Sequence, residues 1–322
     1  MANELLKYNF GKIGILMGGP SSEREISFKS GKAVFEALSG AGLEVAQIDI
    51  KTDNGPEVAS LIKDSGISVA FIALHGSFGE DGGIQEILDT IKIPYTGSGV
   101  AASRLAMDKV VSRKVFEKNS IPVPSSHAFD NKRQVESFVK DRTFNGSVLV
   151  VKPSAQGSSV GVSFVDNQKD LLKAVDEAFR YDGKIIIEDY LHGREVTVGI
   201  LEEEALPVVE ILPKKKFFDF QAKYEKGMTE YEVPAKLPQD IAKRAQEVGL
   251  RAHRSLGCRC FSRVDIILKD NIPYVLEVNS IPGLTATSLL PKAAKVVNID
   301  FLELCLRILK DAYGKKKDKD NI

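Results

Sequence analysis

The residues best suited to chemistry lie in one segment near the C-terminus, a predicted β-hairpin over residues 261–279. Apolar side chains occupy every even position of its two strands: Val264, Ile266, Leu268, Ile272, Tyr274, Leu276 and Val278. Because side chains alternate between the two faces of a strand, these seven are predicted to share one buried face. The same register places the polar odd positions on the other face: Arg263, Asp265, Glu277 and Asn279. Carboxylate and amide oxygens suit Mg²⁺, so the hairpin predicts a site for a metal-bound nucleotide.

A second segment with chemical potential is the loop at residues 152–161, which reads Lys-Pro-Ser-Ala-Gln-Gly-Ser-Ser-Val-Gly and joins two apolar runs. Its glycines let the backbone curl, so that N–H groups and serine hydroxyls can point at one anion beside Lys152. It is not a Walker loop, because no Gly-Lys-Ser/Thr ends it and a strand follows. Alone it is evenly balanced between a phosphate cradle and an ordinary hairpin loop. The hairpin carboxylates favour the cradle.

Two further segments each allow two interpretations. Residues 185–191 form an apolar run at a predicted domain junction, where the backbone could read an adenine edge and Glu195 could accept from ribose hydroxyls. A domain linker with solvated acids is the simpler alternative. The aromatic run at residues 217–220 leads to Lys223 and Tyr224, which indicates either a lid over a polar site or ordinary loop packing.

Polar residues near the N-terminus are also candidates. His75 is followed closely by Glu80 and Asp81, so it is either a catalytic base, a residue with a positioning role or part of a loop-stabilising hydrogen bond. Ser22 and Glu25 form a capping-box pattern at the start of a predicted helix, which leaves Glu23 available for other functions.

The elements that must position these residues follow from hydrophobic periodicity. Residues 12–17, 43–50 and 67–74 are predicted strands with a helix between the first two, and alternating strands and helices predict a parallel sheet. Ligands gather at the carboxyl ends of such strands, where the loops at residues 18–25 and 75–83 lie. A helix over 101–118 is followed by a mostly β region with strands at 147–153, 160–165 and 184–190 and a helix near 169–179. The C-terminal part has predicted strands at 195–201 and 206–212, a surface loop at 213–233 and a helix at 240–256.

Composition restricts the class of protein. A chain of 322 residues needs two or three cores, and 43% apolar with 27% charged residues is typical of a globular enzyme. Lys plus Arg and Asp plus Glu are equal at 44 each, which argues against a nucleic-acid or membrane-surface protein. Three cysteines give no disulfide framework and are predicted to be buried thiols in a cytoplasmic protein. Residues 315–321 are predicted to form a loose, charged tail.

Together these segments resemble the D-alanine–D-alanine ligases of the ATP-grasp superfamily over nearly the whole chain. The resemblance rests on residues 18–27, 75–82, 107–109, 152–161, 217–224, 263–265 and 277–283 in that order. It implies an α/β protein of three domains: an N-terminal parallel α/β domain at 1–105, a central domain at 106–190 and a C-terminal domain at 191–322. ATP would lie between the central and C-terminal α+β domains.

The resemblance also implies a role for individual residues. The nucleotide-binding set would be Lys109, Lys152, Ser158, Ser159, Glu188, Tyr190, Leu191 and Glu195. Asp265, Glu277 and Asn279 would hold two Mg²⁺ ions, for which Mn²⁺ could substitute. Substrates would contact His75, Lys223, Ser288 and Leu289. The catalytic set would be Glu23, Ser158, Tyr224, Arg263 and Gly283.

The implied reaction joins two D-alanine molecules for the cell wall at the expense of ATP, through an acyl phosphate and without a protein nucleophile. The resemblance implies a cytoplasmic homodimer with no nucleic-acid or membrane partner. Retention of Tyr224 favours an amine acceptor over D-lactate. Two alternatives stay open: another ATP-grasp carboxylate–amine ligase, such as one that uses D-serine, and a nucleotide-binding regulatory protein without turnover.

Overall fold

The computed structural model describes residues 2–140, 147–213 and 228–320. Its N-terminal part contains a parallel sheet of three strands in the order β2-β1-β3. The strands are β1 (Ile13–Gly18), β2 (Val45–Ile50) and β3 (Val69–Ile72). The helices are α1 (Ala2–Leu5), α2 (Arg24–Gly40), α3 (Gly55–Asp64), α4 (Gly83–Thr90) and α5 (Val100–Met107). The predicted parallel sheet is therefore confirmed.

The central part is a four-stranded antiparallel sheet in the order β4-β7-β5-β6. Its strands are β4 (Ser126–Phe129), β5 (Leu149–Pro153), β6 (Ser163–Val165) and β7 (Ile185–Asp189). The helices around it are α6 (Lys109–Lys118), α7 (Lys132–Lys140) and α8 (Gln168–Tyr181). An apolar cluster beneath this sheet packs it against α7 and α8, which leaves the opposite face for a ligand.

The C-terminal part contains the third sheet, in the order β11-β10-β8-β12-β13 with β9 paired to β8. Its strands are β8 (Arg194–Leu201), β9 (Glu204–Ala205), β10 (Val209–Pro213), β11 (Thr229–Glu232), β12 (Phe261–Lys269) and β13 (Ile272–Asn279). The helices are α9 (Gln239–Ser255), α10 (Leu289–Val296) and α11 (Phe301–Asp320). Helix α9 covers one face of this sheet, and α11 packs back against α2 of the N-terminal part.

The predicted hairpin forms, but a β-bulge changes its buried face. Asp265 pairs with Glu277, whereas the next residue, Ile266, pairs with Val275, so the register shifts by one residue on β13. Val275 is therefore buried, while Ile272 is 40% exposed and Leu276 turns to the polar face. On β13 the prediction that all even positions share one buried face is wrong from Leu276 back to Ile272, because the inserted residue reverses the alternation of that strand.

Two predicted helix features are also wrong. The helix predicted over 101–118 is two helices, because the Asp108 backbone is extended and its carboxylate accepts from the N–H groups of Val110 and Val111. At α2 the capping residue is Glu23, without a side-chain cap, so the capping box of Ser22 and Glu25 does not form.

Two other segments are more ordered than predicted. The loop predicted at 213–233 contains β11, which pairs with β10, while residues 214–227 lie outside the described residues. The predicted loose tail is helical to Asp320. The cysteines at 258, 260 and 305 are free and buried, as predicted. Within the described ranges, no helix is long and apolar enough to cross a membrane.

A buried histidine under the C-terminal sheet predicts a pH-dependent stability. His253 on α9 is fully buried, its Nδ1 lies 2.7 Å from the Ser262 hydroxyl, and burial lowers its pKa despite Glu203 nearby. Below the ordinary histidine pKa of about 6.5, the imidazole of residue 253 binds a proton in the unfolded chain but stays neutral in the folded chain until a lower pH. We therefore expect the free energy of unfolding to fall by up to about 1.4 kcal/mol per pH unit there.

Thermal unfolding between about pH 7 and about pH 5.5 tests this expectation against the variant His253→Gln. The variant is less stable at neutral pH, by about 1–3 kcal/mol, but its melting temperature falls less on acidification. An equal acid-induced fall in both proteins would contradict the assignment to His253.

Candidate active site

A cavity of about 410 Å³ lies between the central and C-terminal sheets. This is within the range of small-molecule binding sites. Many residues predicted from the sequence line it: Lys109, Lys152, Ser159, Glu188, Tyr190, Leu191, Glu195, Asp265 and Glu277. Residues from both sheets therefore meet around one space, as predicted for a nucleotide held between two sheets.

Part of the cavity lining is apolar. This part is formed by Val150, Phe164, Ile211, Leu212, Ile267 and Leu276. Leu276 and Ile267 were not predicted to lie here, and the bulge in the hairpin is what brings Leu276 to this face. The Phe164 and Tyr190 rings meet edge to face with centroids 5.7 Å apart. Flat apolar walls of this kind suit a planar ring such as a nucleobase.

Two lysines also line the cavity, Lys109 and Lys152. The Lys109 ammonium donates to the Gln156 carbonyl at 2.7 Å, and Lys152 lies 2.6 Å from Glu188. Burial lowers the pKa of Lys152, while Glu188 counteracts that effect. The adjacent loop carries two residues with left-handed backbone, Ser158 at φ 49° and Ser159 at φ 60°. Such a turn curls the backbone, as an anion cradle requires.

Lys109 is fixed by the residue before it, which sequence reasoning missed. Asp108 caps α6 and also accepts a hydrogen bond from the Ser154 hydroxyl at 2.6 Å. The Lys109 N–H donates to the Ser154 carbonyl at 2.9 Å. The aspartate directly before a helical run was the signal that could have identified this cap.

The polar face of the hairpin is assembled as predicted. On neighbouring strands Asp265 pairs with Glu277, and Arg263 pairs with Asn279. Arg263 makes a bidentate ion pair with Asp265 at 2.9 and 2.8 Å. Asp265 also accepts from the Thr197 hydroxyl at 2.7 Å and from the Asn279 amide at 3.1 Å. Thr197 was not predicted, and an isolated threonine in a strand carries no signal that could have identified it.

The donor set on this face fits a hard cation. Asp265 is nearly buried, and the Glu277 carboxylate lies 3.2 Å from the Lys109 ammonium. Among the described residues, no group of three or more His, Cys, Asp or Glu side chains is placed to hold a metal ion. The metal donors on this face are therefore the Asp265 and Glu277 carboxylates and the Asn279 amide oxygen. Oxygen donors of this kind suit Mg²⁺, which keeps several ligands from water and phosphate.

Glu23 joins the N-terminal part to the loop over the cavity. Its carboxylate accepts a short hydrogen bond from the Ser158 hydroxyl. A Cβ atom at Gly76, whose φ is +72°, would lie 2.6 Å from Glu23 Oε2, and one at Gly157 would lie 3.2 Å from it. The two glycines therefore make room for this carboxylate between two loops.

His75 is buried and belongs to a second set of contacts between the N- and C-terminal parts. Its Nε2 lies 2.9 Å from the Ser30 hydroxyl, and its Nδ1 lies 3.3 Å from Glu80. The Ser30 hydroxyl also accepts from the Leu284 N–H at 3.2 Å. These bonds fit the positioning interpretation of His75, since each ring nitrogen has a partner.

The segment around Gly283 forms a compact turn before α10. The Ser288 hydroxyl accepts from the Thr285 N–H at 3.1 Å, and a Cβ atom at Gly283 would lie 3.0 Å from that hydroxyl. Ser288 is the N-cap residue of α10 and Leu289 begins the helix, so N–H groups at this end are oriented to bind an anion. Lys223 and Tyr224 lie outside the described residues.

Two family models match the chain in sequence. The model described as "D-ala D-ala ligase N-terminus" matches residues 53–98, and that described as "D-ala D-ala ligase C-terminus" matches residues 115–310. The chain is 44% identical over 305 residues to the D-alanine–D-alanine ligase of Syntrophotalea carbinolica, covering 95% of this chain and 97% of the relative. It is 46% identical to the enzyme of that name from Geotalea uraniireducens, covering 92% and 94%.

Solved structures of two ligases align with nearly the whole chain. The D-alanine–D-alanine ligase of Bacillus anthracis complexed with ATP aligns with a TM-score of 0.81 at 31% identity, over 96% of this chain and 99% of that one. VanG D-Ala:D-Ser ligase from Enterococcus faecalis aligns with a TM-score of 0.80 at 28% identity, over 94% and 99%.

Proposed function

The chain belongs to the D-alanine–D-alanine ligase family, and from that premise we propose how its residues join two D-alanine molecules at the expense of ATP. It is an ADP-forming ligase of the ATP-grasp fold that serves peptidoglycan precursor synthesis. A D-serine acceptor is the less favoured alternative, because relatives that are 44% and 46% identical over most of the chain are D-alanine–D-alanine ligases.

The observation that carries the proposal is the cavity of about 410 Å³ between the two sheets, which is lined by apolar side chains and by Lys109, Lys152, Asp265 and Glu277. The adenine ring would lie between the apolar walls at Tyr190 and Leu191, and Glu195 would accept from the ribose. Glu188 supports the site through Lys152, since that ion pair occupies one of its carboxylate oxygens.

The phosphates of ATP would lie against Lys109, Lys152 and the loop of Ser158 and Ser159. Their charge would be shared with two Mg²⁺ ions held by Asp265, Glu277 and Asn279. Bound metal supplies charge that lets two anions approach each other, and Mn²⁺ could substitute for it. Lys109 pairs with the Glu277 carboxylate, and Arg263 pairs with that of Asp265.

In the first chemical step the carboxylate of one D-alanine attacks the γ-phosphorus of ATP, and ADP leaves with the electrons of the broken P–O bond. Glu23 and the neighbouring His75 would orient the ammonium of this D-alanine. The Arg263 guanidinium and the Gly283 N–H would stabilise negative charge that develops on the carbonyl oxygen in the second step.

In the second step the free amine of another D-alanine attacks the acyl carbon and expels inorganic phosphate. Ser288 and the N-terminus of α10 at Leu289 would bind the carboxylate of this acceptor. The hydrogen bond between Glu23 and Ser158 supports a network in which we propose that Tyr224 and Lys223 also take part. Exclusion of water from the site would protect the acyl phosphate from hydrolysis.

The three domains are proposed at 1–105, 106–190 and 191–322, and each of the three sheets falls within one of these ranges. A cytoplasmic location is proposed because ATP is the co-substrate and the three cysteines are free thiols. Assembly as a homodimer stays a prediction.

Release of ADP and phosphate with different substrates tests the function. We expect turnover with D-alanine alone, a product with the mass of the dipeptide, and little turnover with D-lactate or L-alanine. Preferential turnover with an L-amino acid, or ATP binding without any dipeptide, would contradict it.

A further inference from the structure

We propose that Arg113 is a positioning residue for ATP, which keeps Glu188 neutralised so that Lys152 is free to turn from Glu188 to the nucleotide phosphates. The inference rests on the proposed nucleotide site and adds a residue to which neither the sequence nor the resemblance assigned a role.

The geometry places Arg113 directly behind the cavity wall. It lies one turn after Lys109 on α6, is 3% exposed and is not among the residues that line the cavity. One guanidinium nitrogen donates to the Pro124 carbonyl at 2.9 Å, and another donates a short bond to Glu188 Oε2. The second oxygen of Glu188 holds the Lys152 ammonium at 2.6 Å. One buried carboxylate therefore has two cations, one on each oxygen.

The two cations differ in what they can reach. Lys152 lines the cavity, whereas Arg113 does not. If Lys152 were the sole partner of Glu188, a move to the phosphates would leave a bare charge in a nearly dry environment, which is strongly unfavourable. With Arg113 in place the carboxylate keeps a cationic partner when Lys152 moves to the phosphates.

Arginine suits this position better than lysine. Its rigid fork bonds the Pro124 carbonyl and the Glu188 carboxylate at once, and it stays protonated even when buried. Lys152, by contrast, has a pKa that burial lowers, with Lys109 and Arg113 acting in the same direction and Glu188 opposing them. The charged groups that face Glu188 are therefore Arg113 on α6 and Lys152 on β5, with Lys109 close to Lys152.

The test is the affinity for ATP, measured by calorimetry without D-alanine, in the full-length variant Arg113→Met. We expect binding to weaken about tenfold or more, because Glu188 then retains Lys152. A purely structural role for Arg113 would weaken ATP binding whether or not residue 188 carries a charge, so removal of that charge distinguishes the two roles.

The second variant, Arg113→Met combined with Glu188→Gln, separates this role from misfolding. With the carboxylate charge removed, the loss of Arg113 should no longer weaken ATP binding, so the combined variant should bind ATP as tightly as Glu188→Gln alone. Wild-type affinity in Arg113→Met, or a further loss when Arg113→Met is added to Glu188→Gln, would overturn the proposal. If the single variant does not fold, the comparison of Glu188→Gln with and without Arg113→Met remains, and a large difference in ATP affinity there would also overturn it. A wild-type protein that binds ATP but forms no dipeptide would refute the proposed reaction and leave this measurement valid.

Discussion

Replacing Glu277 by glutamine is expected to lower kcat by a factor on the order of 10²–10³ while the fold is retained. The substitution keeps the shape of the side chain but removes one of the two carboxylate charges on the polar face of the hairpin. It also removes the carboxylate charge that lies 3.2 Å from the Lys109 ammonium, so the positive charge of Lys109 is no longer balanced by Glu277. Steady-state kinetics at saturating ATP and D-alanine, with thermal unfolding as a check of the fold, measure this effect.

A matched control is available on the same hairpin. Asp270 lies in the exposed turn with a backbone φ of 52°, which asparagine tolerates well, so Asp270→Asn removes a carboxylate charge without touching the cavity. It should keep wild-type turnover. Comparable activity in Glu277→Gln and Asp270→Asn would exclude the proposed role of Glu277.

Arg263→Met is the second change with a large expected effect, a fall in kcat of about 10²-fold or more at saturating Mg²⁺. Asp265 would still accept hydrogen bonds from Thr197 and Asn279, so the carboxylate should stay in place. Arg263→Lys should recover little activity, because an ammonium cannot reproduce the bidentate geometry. Arg244→Met serves as the control, since Arg244 is exposed and donates to the Asn271 carbonyl in the hairpin turn.

The same variant distinguishes the two roles considered for Arg263. If Arg263 only balances the charge of Asp265, the loss should appear as an altered dependence on Mg²⁺ concentration and disappear at saturation. If Arg263 stabilises the oxygen charge of the reaction, kcat stays low at every Mg²⁺ concentration. Full recovery at high Mg²⁺ would therefore refute the oxyanion role.

The sequence predicted the secondary structure well where hydrophobic periodicity was strong. It did so poorly where particular hydrogen bonds determine where a helix or strand ends. The alternating hairpin was identified correctly, but its bulge was not: Leu276 is inserted between Glu277 and Val275, which pair with Asp265 and Ile266, and a leucine does not mark an inserted position. The break between α5 and α6 depends on one aspartate that caps the second helix and binds Ser154 from another loop. Contacts of that range, 46 residues apart in sequence, are not encoded in local periodicity.

In the candidate site, too, some residues could be predicted from the sequence and others could not. Residues with a strong chemical signature, such as Asp265, Glu277 and Lys152, could be found from their types and positions. The residues that support them could not, because Thr197 and Arg113 are ordinary members of a strand and a helix until the fold brings them to a carboxylate. Leu276 reaches the cavity only through the bulge.

The central claim, that a D-alanine carboxylate is phosphorylated before the amine attacks, is tested most directly by an oxygen label. D-Alanine with both carboxylate oxygens replaced by ¹⁸O is turned over with unlabelled ATP in unlabelled water. Attack on the γ-phosphorus makes one labelled oxygen the bridge of the acyl phosphate, and expulsion of phosphate breaks the bond between that oxygen and the acyl carbon. Mass spectrometry should therefore find one ¹⁸O in each released phosphate and one in the new amide carbonyl. Release of phosphate without the label would contradict the account.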